Sequence, residues 1–252
     1  RFKRAWCHAA DVRFLGVWDT VGALGLPDKL VLPPLRALDA ELEQRRVGFL
    51  DTRLGPGVRA AAHSLAIDER REPFLPALWT DAPGSEPRIN VPGSGIEQVW
   101  FAGAHANVGG GYRDRGLSDI ALAWMARAAQ AAGLELTAHF LAGLAPDPLA
   151  ARRDSLAEFL DPLNLQSLRG HLLGTLADRL STTPAGIVRA QVEVARPIAR
   201  GSVIHDTVVE RLAAAAAHEP AGHEPYAPPP TLALTSEGRD IDRERYRLAA
   251  TA

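Results

Sequence analysis

Ile96-Glu97-Gln98-Val99-Trp100-Phe101-Ala102-Gly103-Ala104-His105 is the stretch on which the fold turns. It is short, rich in β-branched and aromatic residues, and bounded by Gly93-Ser94-Gly95 before and Gly109-Gly110-Gly111 after. That pattern predicts a buried strand over 96–104 that delivers His105 at its C-terminal tip. Beyond the glycine run, Ser118 precedes an amphipathic repeat in which Ile120, Ala121, Trp124, Met125, Ala128 and Ala132 share one face. This predicts a helix stopping at Gly133. Working backwards, Val12-Arg13-Phe14-Leu15-Gly16-Val17-Trp18 reads as another buried strand, ending at Asp19-Thr20. A further strand is expected over 60–67, ending at Asp68-Glu69-Arg70-Arg71. Leucines at 35, 38 and 42 give residues 33–49 a helical spacing, and 81–95 reads as a loop. Strand, glycine-rich loop and helix alternate, which favours an α/β sheet over a helical bundle.

The chain has 252 residues, 46% hydrophobic and 23% charged, enough for one full core or one plus a small appendage. Its formal charge of −2 and pI near 6.5 argue against a nucleic-acid or anionic-membrane binder built on gross charge. The single cysteine, Cys7, excludes an internal disulfide framework and a multi-cysteine zinc site. No apolar run reaches the roughly 18 residues of a membrane span. Residues 1–10 lack the apolar region and cleavage site of a signal peptide.

The organisation expected is a sheet-containing core over 1–135, a helical and proline-rich cap or extension over 136–230, and a charged tail over 231–252. The leucine-rich runs at 141–144, 160–168 and 172–176 suggest a lid over an apolar pocket. A helix with a capping-type start is expected over 202–217.

Ligands and catalytic groups of open α/β sheets gather outside the carboxyl ends of the strands. Two such tips carry Asp19 and His105, the acid and base halves of a Ser-His-Asp triad. Asp precedes His by 86 residues, in keeping with the Ser, Asp, His order of α/β-hydrolases. The alternatives are a strand-end turn aspartate and a loop histidine satisfied by its neighbours. The nucleophile elbow Gly-x-Ser-x-Gly does not occur in the 252 residues. Ala62-His63-Ser64-Leu65-Ala66 lacks both glycines and follows Asp19, so Ser64 is read as structural.

Phe14-Leu15-Gly16-Val17-Trp18-Asp19-Thr20-Val21-Gly22 resembles a known family. So do His63-Ser64-Leu65-Ala66-Ile67-Asp68-Glu69-Arg70-Arg71 with Phe74, and Val99-Trp100-Phe101-Ala102-Gly103-Ala104-His105 with the glycine run. Leu117-Ser118-Asp119-Ile120-Ala121-Leu122-Ala123-Trp124-Met125 completes the order, and Ile204-His205-Asp206-Thr207-Val208-Val209-Glu210-Arg211 with Tyr226-Ala227-Pro228 is a weaker echo. The family is an uncharacterised-domain α/β-hydrolase family that includes the catalytic domains of type VI secretion phospholipase effectors. The resemblance implies an α/β-hydrolase-like sheet flanked by helices. It implies a serine-type ester or lipid hydrolase whose triad Asp and His match Asp19 and His105. The nucleophile elbow would then lie before Arg1, and this chain alone would be inactive. Asn107 departs from the Asp of many relatives, a change expected to be tolerated.

No cofactor or metal is implied. The expected partners are a lipid or other ester substrate, a membrane surface contacted peripherally, and secretion-system or immunity proteins. The expected location is the producing bacterium's cytoplasm before delivery out of the cell. The rival reading is a non-catalytic scaffold or degenerate fragment of the same fold.

Among the remaining motifs, His63, Asp68, Glu69, Arg70 and Arg71 could orient a catalytic loop or contact a head group, but read better as a strand-end salt-bridge cluster. The glycine triplet reads as a sharp turn beneath the histidine rather than an anion cradle. His218-Glu219 and His223 have the wrong spacing for a zinc helix and are broken by Pro220 and Gly222. His205-Asp206 reads as a helix start, where an aspartate is favourable.

Overall fold

The computed structural model describes residues 11–22, 52–55, 57–71, 74–81, 83–159, 194–196, 198–199 and 202–217. The expected helix over 33–49, the leucine runs at 160–168 and 172–176, the prolines of 225–230, His218, His223 and the charged tail lie outside them. The described elements are β1 (Val12–Trp18), β2 (Val58–Ala66), β3 (Ile96–Phe101), α1 (His105–Gly109), α2 (Gly116–Ala131), a short 3-10 helix (Leu141–Gly143), α3 (Ser155–Phe159), β4 (Val203–Ile204) and α4 (Asp206–Ala217). The strands form one parallel sheet in the order β1-β2-β3-β4.

A parallel sheet needs cover on both faces, and here apolar side chains of β2 and β3 face both ways. Alternate residues separate the two faces. On one, Ala62, Ala66, Val99 and Phe101 pack with Val108, Leu117, Ile120, Trp124 and Met125 of the α1–α2 unit. On the other, Leu65, Ile67, Trp100 and Ala102 pack with Leu78, Ile198, Ile204, Val208 and Leu212. The small residues of β2 let α2 lie close to the sheet. Gly16 of β1 serves the same end, since a Cβ there would come within 2.8 Å of the Met125 sulfur.

Several boundaries depart from the sequence pattern: β3 ends at Phe101 rather than at residue 104, and β2 runs over Val58–Ala66 rather than 60–67. α2 begins at Gly116, not after Ser118; the Asp114 carboxylate accepts from the Gly116 N–H, and the Ser118 hydroxyl donates to the Arg115 carbonyl. The expected helix over 202–217 starts only at Asp206, because Val203 and Ile204 pair with Val99 and Trp100 as β4. His205 then stacks on Phe101, with ring centroids 4.7 Å apart.

Candidate active site

β1 and β3 flank β2, so their C-terminal tips stand one strand apart on the same end of the sheet. Asp19 follows β1 directly, and its φ of 41° turns the chain out of the strand. Aspartate tolerates this left-handed geometry better than most residues because its short polar side chain bonds locally. The Asp19 N–H continues the sheet by donating to the Ser64 carbonyl at 2.7 Å.

His105 is brought back towards β1 by the turn at Gly103, whose φ is +116°. A Cβ at Gly103 would lie 2.5 Å from the Asn107 Cβ. Gly103→Ala is therefore expected to cost about 2–4 kcal/mol through the strained φ and the overlap. The thermal midpoint should fall by roughly 5–15 °C in calorimetry. An unchanged midpoint would contradict the geometry.

The two side chains meet: His105 Nδ1 lies 2.7 Å from Asp19 Oδ2. Asp19 is fully buried, whereas the His105 side chain is 31% exposed. The ring is thus held on its Nδ1 edge and reaches the surface. Phe74 meets it edge-on at 5.1 Å, and the Arg71 guanidinium lies 3.6 Å over the Phe74 ring.

Three further groups close around the Asp19 carboxylate. The Ala66 N–H donates to Oδ1 at 2.9 Å. Arg196, itself 1% exposed, donates to Oδ1 at 2.5 Å and Oδ2 at 2.9 Å. Burial alone would push the Asp19 carboxyl up; the His105 hydrogen bond and the Arg196 charge outweigh it and hold the group below the usual carboxylate range.

His63, on β2, lies near enough to feel the charge of the same carboxylate. Its Nε2 accepts from the Thr20 N–H at 3.2 Å, and its ring packs on Trp79 at 5.0 Å. Burial drives its pKa down to about 4, with Arg196 adding to the effect and Asp19 and the Gln98 side chain opposing it. A histidine whose folded pKa is depressed contributes nothing above its unfolded value. Below about 6.5 the unfolded chain takes up a proton that the folded chain refuses until about 4, so stability falls as pH falls through that window. The expected loss is about 3 kcal/mol from this residue. Urea titrations at pH 7, 5.5 and 4.5 check it, and a flat profile would contradict it.

Glu69 anchors the histidine's backbone. It is buried, accepts from the His105 N–H at 3.2 Å and the Ser155 hydroxyl at 2.9 Å, and pairs with Arg71 at 2.8 Å. Burial raises its carboxyl and the Arg71 bonds more than reverse that, leaving it low. Asp68 accepts from the Gly103 N–H at 2.6 Å, and Arg70 pairs with Asp154. The Asp68-to-Arg71 segment is thus a salt-bridge cluster, and it also supports the turn that carries His105. Asn107 is buried; its Oδ1 accepts from the Ala104 and Arg153 N–H groups, as an aspartate also could, and its Nδ2 donates to the Ala151 carbonyl at 3.5 Å, which an aspartate could not.

Ser64 is fully buried in β2 with no hydrogen-bond partner for its hydroxyl, in keeping with a structural role. Gly110 and Gly111 adopt φ values of +89° and +122°, which makes the glycine run a turn. A groove of about 580 Å³ lies over the Phe14, Ala62 and Trp124 surface, rimmed by Arg127, Pro148 and Glu210. Neither His105 nor a leucine of 141–144 is among its described lining residues. Arg196 and Ser155 were not singled out from the sequence. Arg196 stands in Val194-Ala195-Arg196-Pro197, which has no motif around it, and no signal in the chain distinguishes it from the other arginines.

Among the described residues, no helix is long and apolar enough to cross a membrane. No curated protein and no solved structure gives a significant match to the chain. The family model of the type VI secretion phospholipase effector Tle1-like catalytic domain matches residues 1–128, a span that includes β1, β2, β3, Asp19 and His105. With half of its length matched by that model, the chain belongs to the Tle1-like catalytic domain family of type VI secretion phospholipase effectors.

Proposed function

We propose that this chain contributes the acid and base of a serine-type phospholipid or ester hydrolase, with His105 as general base and Asp19 as its orienter. The 2.7 Å contact between Asp19 Oδ2 and His105 Nδ1 at neighbouring strand tips carries this reading. With Nδ1–H donated to the buried carboxylate, Nε2 is left as the acceptor. It takes the proton of a serine hydroxyl as that oxygen attacks the ester carbonyl, then returns the proton to the leaving alcohol. The acyl-enzyme is resolved by water, deprotonated by the same imidazole. Asp19 stays ionised throughout and stabilises the imidazolium.

The nucleophile belongs to a Gly-x-Ser-x-Gly elbow, a pentapeptide that residues 1–252 do not contain. We assign it to sequence upstream of residue 1. Membership in an effector family supports a phospholipid substrate, delivery through a secretion system and contact with the target membrane's surface. The absence of an elbow in these residues favours one alternative, a catalytically silent scaffold of the same family.

The two readings separate in the full-length protein, incubated with phospholipid vesicles and with a fluorophosphonate that labels activated serines. Fatty-acid release, with label on a serine upstream of residue 1, is the expected result. No release and no label would establish the scaffold. Label on Ser64 would place the nucleophile inside this chain.

A further inference from the structure

We propose that Arg196 is the positioning residue of the Asp19–His105 pair, a guanidinium clamp that fixes the carboxylate's orientation and the wall against which the imidazole rests. The inference rests on the catalytic reading of Asp19 and His105 given above.

A buried carboxylate needs its lone pairs matched, and here every partner comes from a different part of the chain. Oδ1 is shared by the Ala66 N–H and Arg196, and Oδ2 by His105 and Arg196. The two-pronged contact leaves the carboxylate no freedom to rotate about its last bond. That is the geometric property that separates arginine from lysine at such a site. The same guanidinium nitrogen that meets Oδ2 also donates to the Phe74 carbonyl at 2.5 Å. Phe74 is the residue whose ring meets His105 edge-on. One buried cation therefore sets both the hydrogen-bond acceptor of the imidazole and one of the walls of its pocket.

Arg196 is in turn held from behind. The Val194 N–H donates to the Arg70 carbonyl at 2.8 Å, and the Ile198 N–H to the Arg196 carbonyl at 3.0 Å. Ile198 packs on the Leu65–Trp100 side of the sheet. Short backbone bonds and an apolar anchor two residues on fix the strap that carries the guanidinium. At 1% exposure Arg196 has no access to substrate, so its action runs through Asp19.

The clamp also has an electrostatic consequence. Among the described residues, the charged and titratable groups that act on Asp19 are His105 from α1, His63 from β2 and Arg196. Burial opposes ionisation of the carboxylate, and Arg196 is the permanent positive charge among these groups. Removing it moves the ionisation of Asp19 upward. It also removes the charge that offsets Asp19 when His105 takes up a proton. Both effects push the acid limb of the activity profile towards higher pH.

The test uses the full-length protein on a soluble short-chain nitrophenyl ester, with rates normalised to active sites titrated by a fluorophosphonate. Arg196→Gln is expected to lower kcat on the order of 10²-fold with KM within about twofold, the scale of a misplaced catalytic group. The acid limb of kcat/KM should move up by about one pH unit or more. Arg196→Lys should return the limb towards its original position, because the charge is back. It should leave kcat about tenfold low, because a point charge cannot bridge both oxygens. Wild-type kcat per titrated site with an unmoved limb in Arg196→Gln overturns the proposal. Should that variant yield no folded protein, wild-type kcat in Arg196→Lys overturns it equally. Activity that survives His105→Ala overturns the catalytic reading and this inference together. Activity lost in His105→Ala but untouched in Arg196→Gln overturns the role of Arg196 alone.

Discussion

His105→Ala in the full-length protein is expected to lower kcat on the order of 10⁶-fold, close to the loss from removing the nucleophile itself. Serine at neutral pH is a poor nucleophile, and in the mechanism proposed above the imidazole is the group that takes its proton. The structure also predicts what will not change. The His105 side chain is part-exposed, and its loss leaves Asp19 still paired with Arg196 and capped by the Ala66 N–H. The fold should therefore survive, with an unfolding free energy within about 1 kcal/mol of the parent. Ester hydrolysis and fluorophosphonate labelling should disappear together while the denaturation curve stays in place. Retained labelling at the parent rate would assign proton transfer to another group.

Asp19→Asn is expected to cost about 10⁴-fold in kcat, with a different physical origin. Asparagine matches aspartate in shape and tolerates the left-handed backbone at this position, so the turn out of β1 is kept. Its amide would present N–H to His105 Nδ1. That stabilises the tautomer with the proton on Nε2, the atom that the proposed mechanism needs vacant to receive the serine proton. This variant should also be less stable, unlike the histidine one. It leaves the Arg196 guanidinium buried beside a neutral group, for which about 3–5 kcal/mol is the usual cost. A large rate loss with a lowered unfolding midpoint is the expected pair of results. A rate loss without destabilisation would mean that Arg196 finds another counter-charge or that water reaches it.

The parts of this fold that the amino-acid pattern revealed are those in which neighbours along the chain serve one structural end. β1 and β3 are short, predominantly apolar stretches that lead to a polar tip, and α2 repeats its apolar face every three to four residues, so each declares itself locally. Asp19 and His105 were legible because a strand tip is where chemistry gathers, and their meeting at 2.7 Å follows from β2 standing between their strands. β4 was not legible. Two residues are too few for any alternation to appear, and Val203 and Ile204 are extended only because β3 offers an edge to pair with.

Arg196 was illegible for a stronger reason. The described groups that its guanidinium meets at the site, the Asp19 carboxylate and the Phe74 carbonyl, lie far upstream in the chain, so no local pattern points to it. Glu69 falls between these cases. Its pairing with Arg71 could be anticipated from two residues' separation, but its bonds to the His105 N–H and to Ser155 could not.

The 177 residues that separate Arg196 from Asp19 also order events during synthesis. At bacterial elongation rates of about 5–20 residues per second, the carboxylate is made roughly 10–35 s before the guanidinium that clamps it. During that interval β1, β2 and β3 can pair, because all three precede α1 in the chain, yet the carboxylate between them lacks its permanent counter-charge. The closing contact spans a long loop, so it is among the slower contacts to form and comes after the local ones. A nascent chain would therefore carry an unfinished Asp19 environment until residue 196 has been made and has left the ribosome. Ribosome-bound chains stalled before and after that residue, compared at equal length of core, would register the transition as a step in protection of the Asp19 turn from hydrogen exchange.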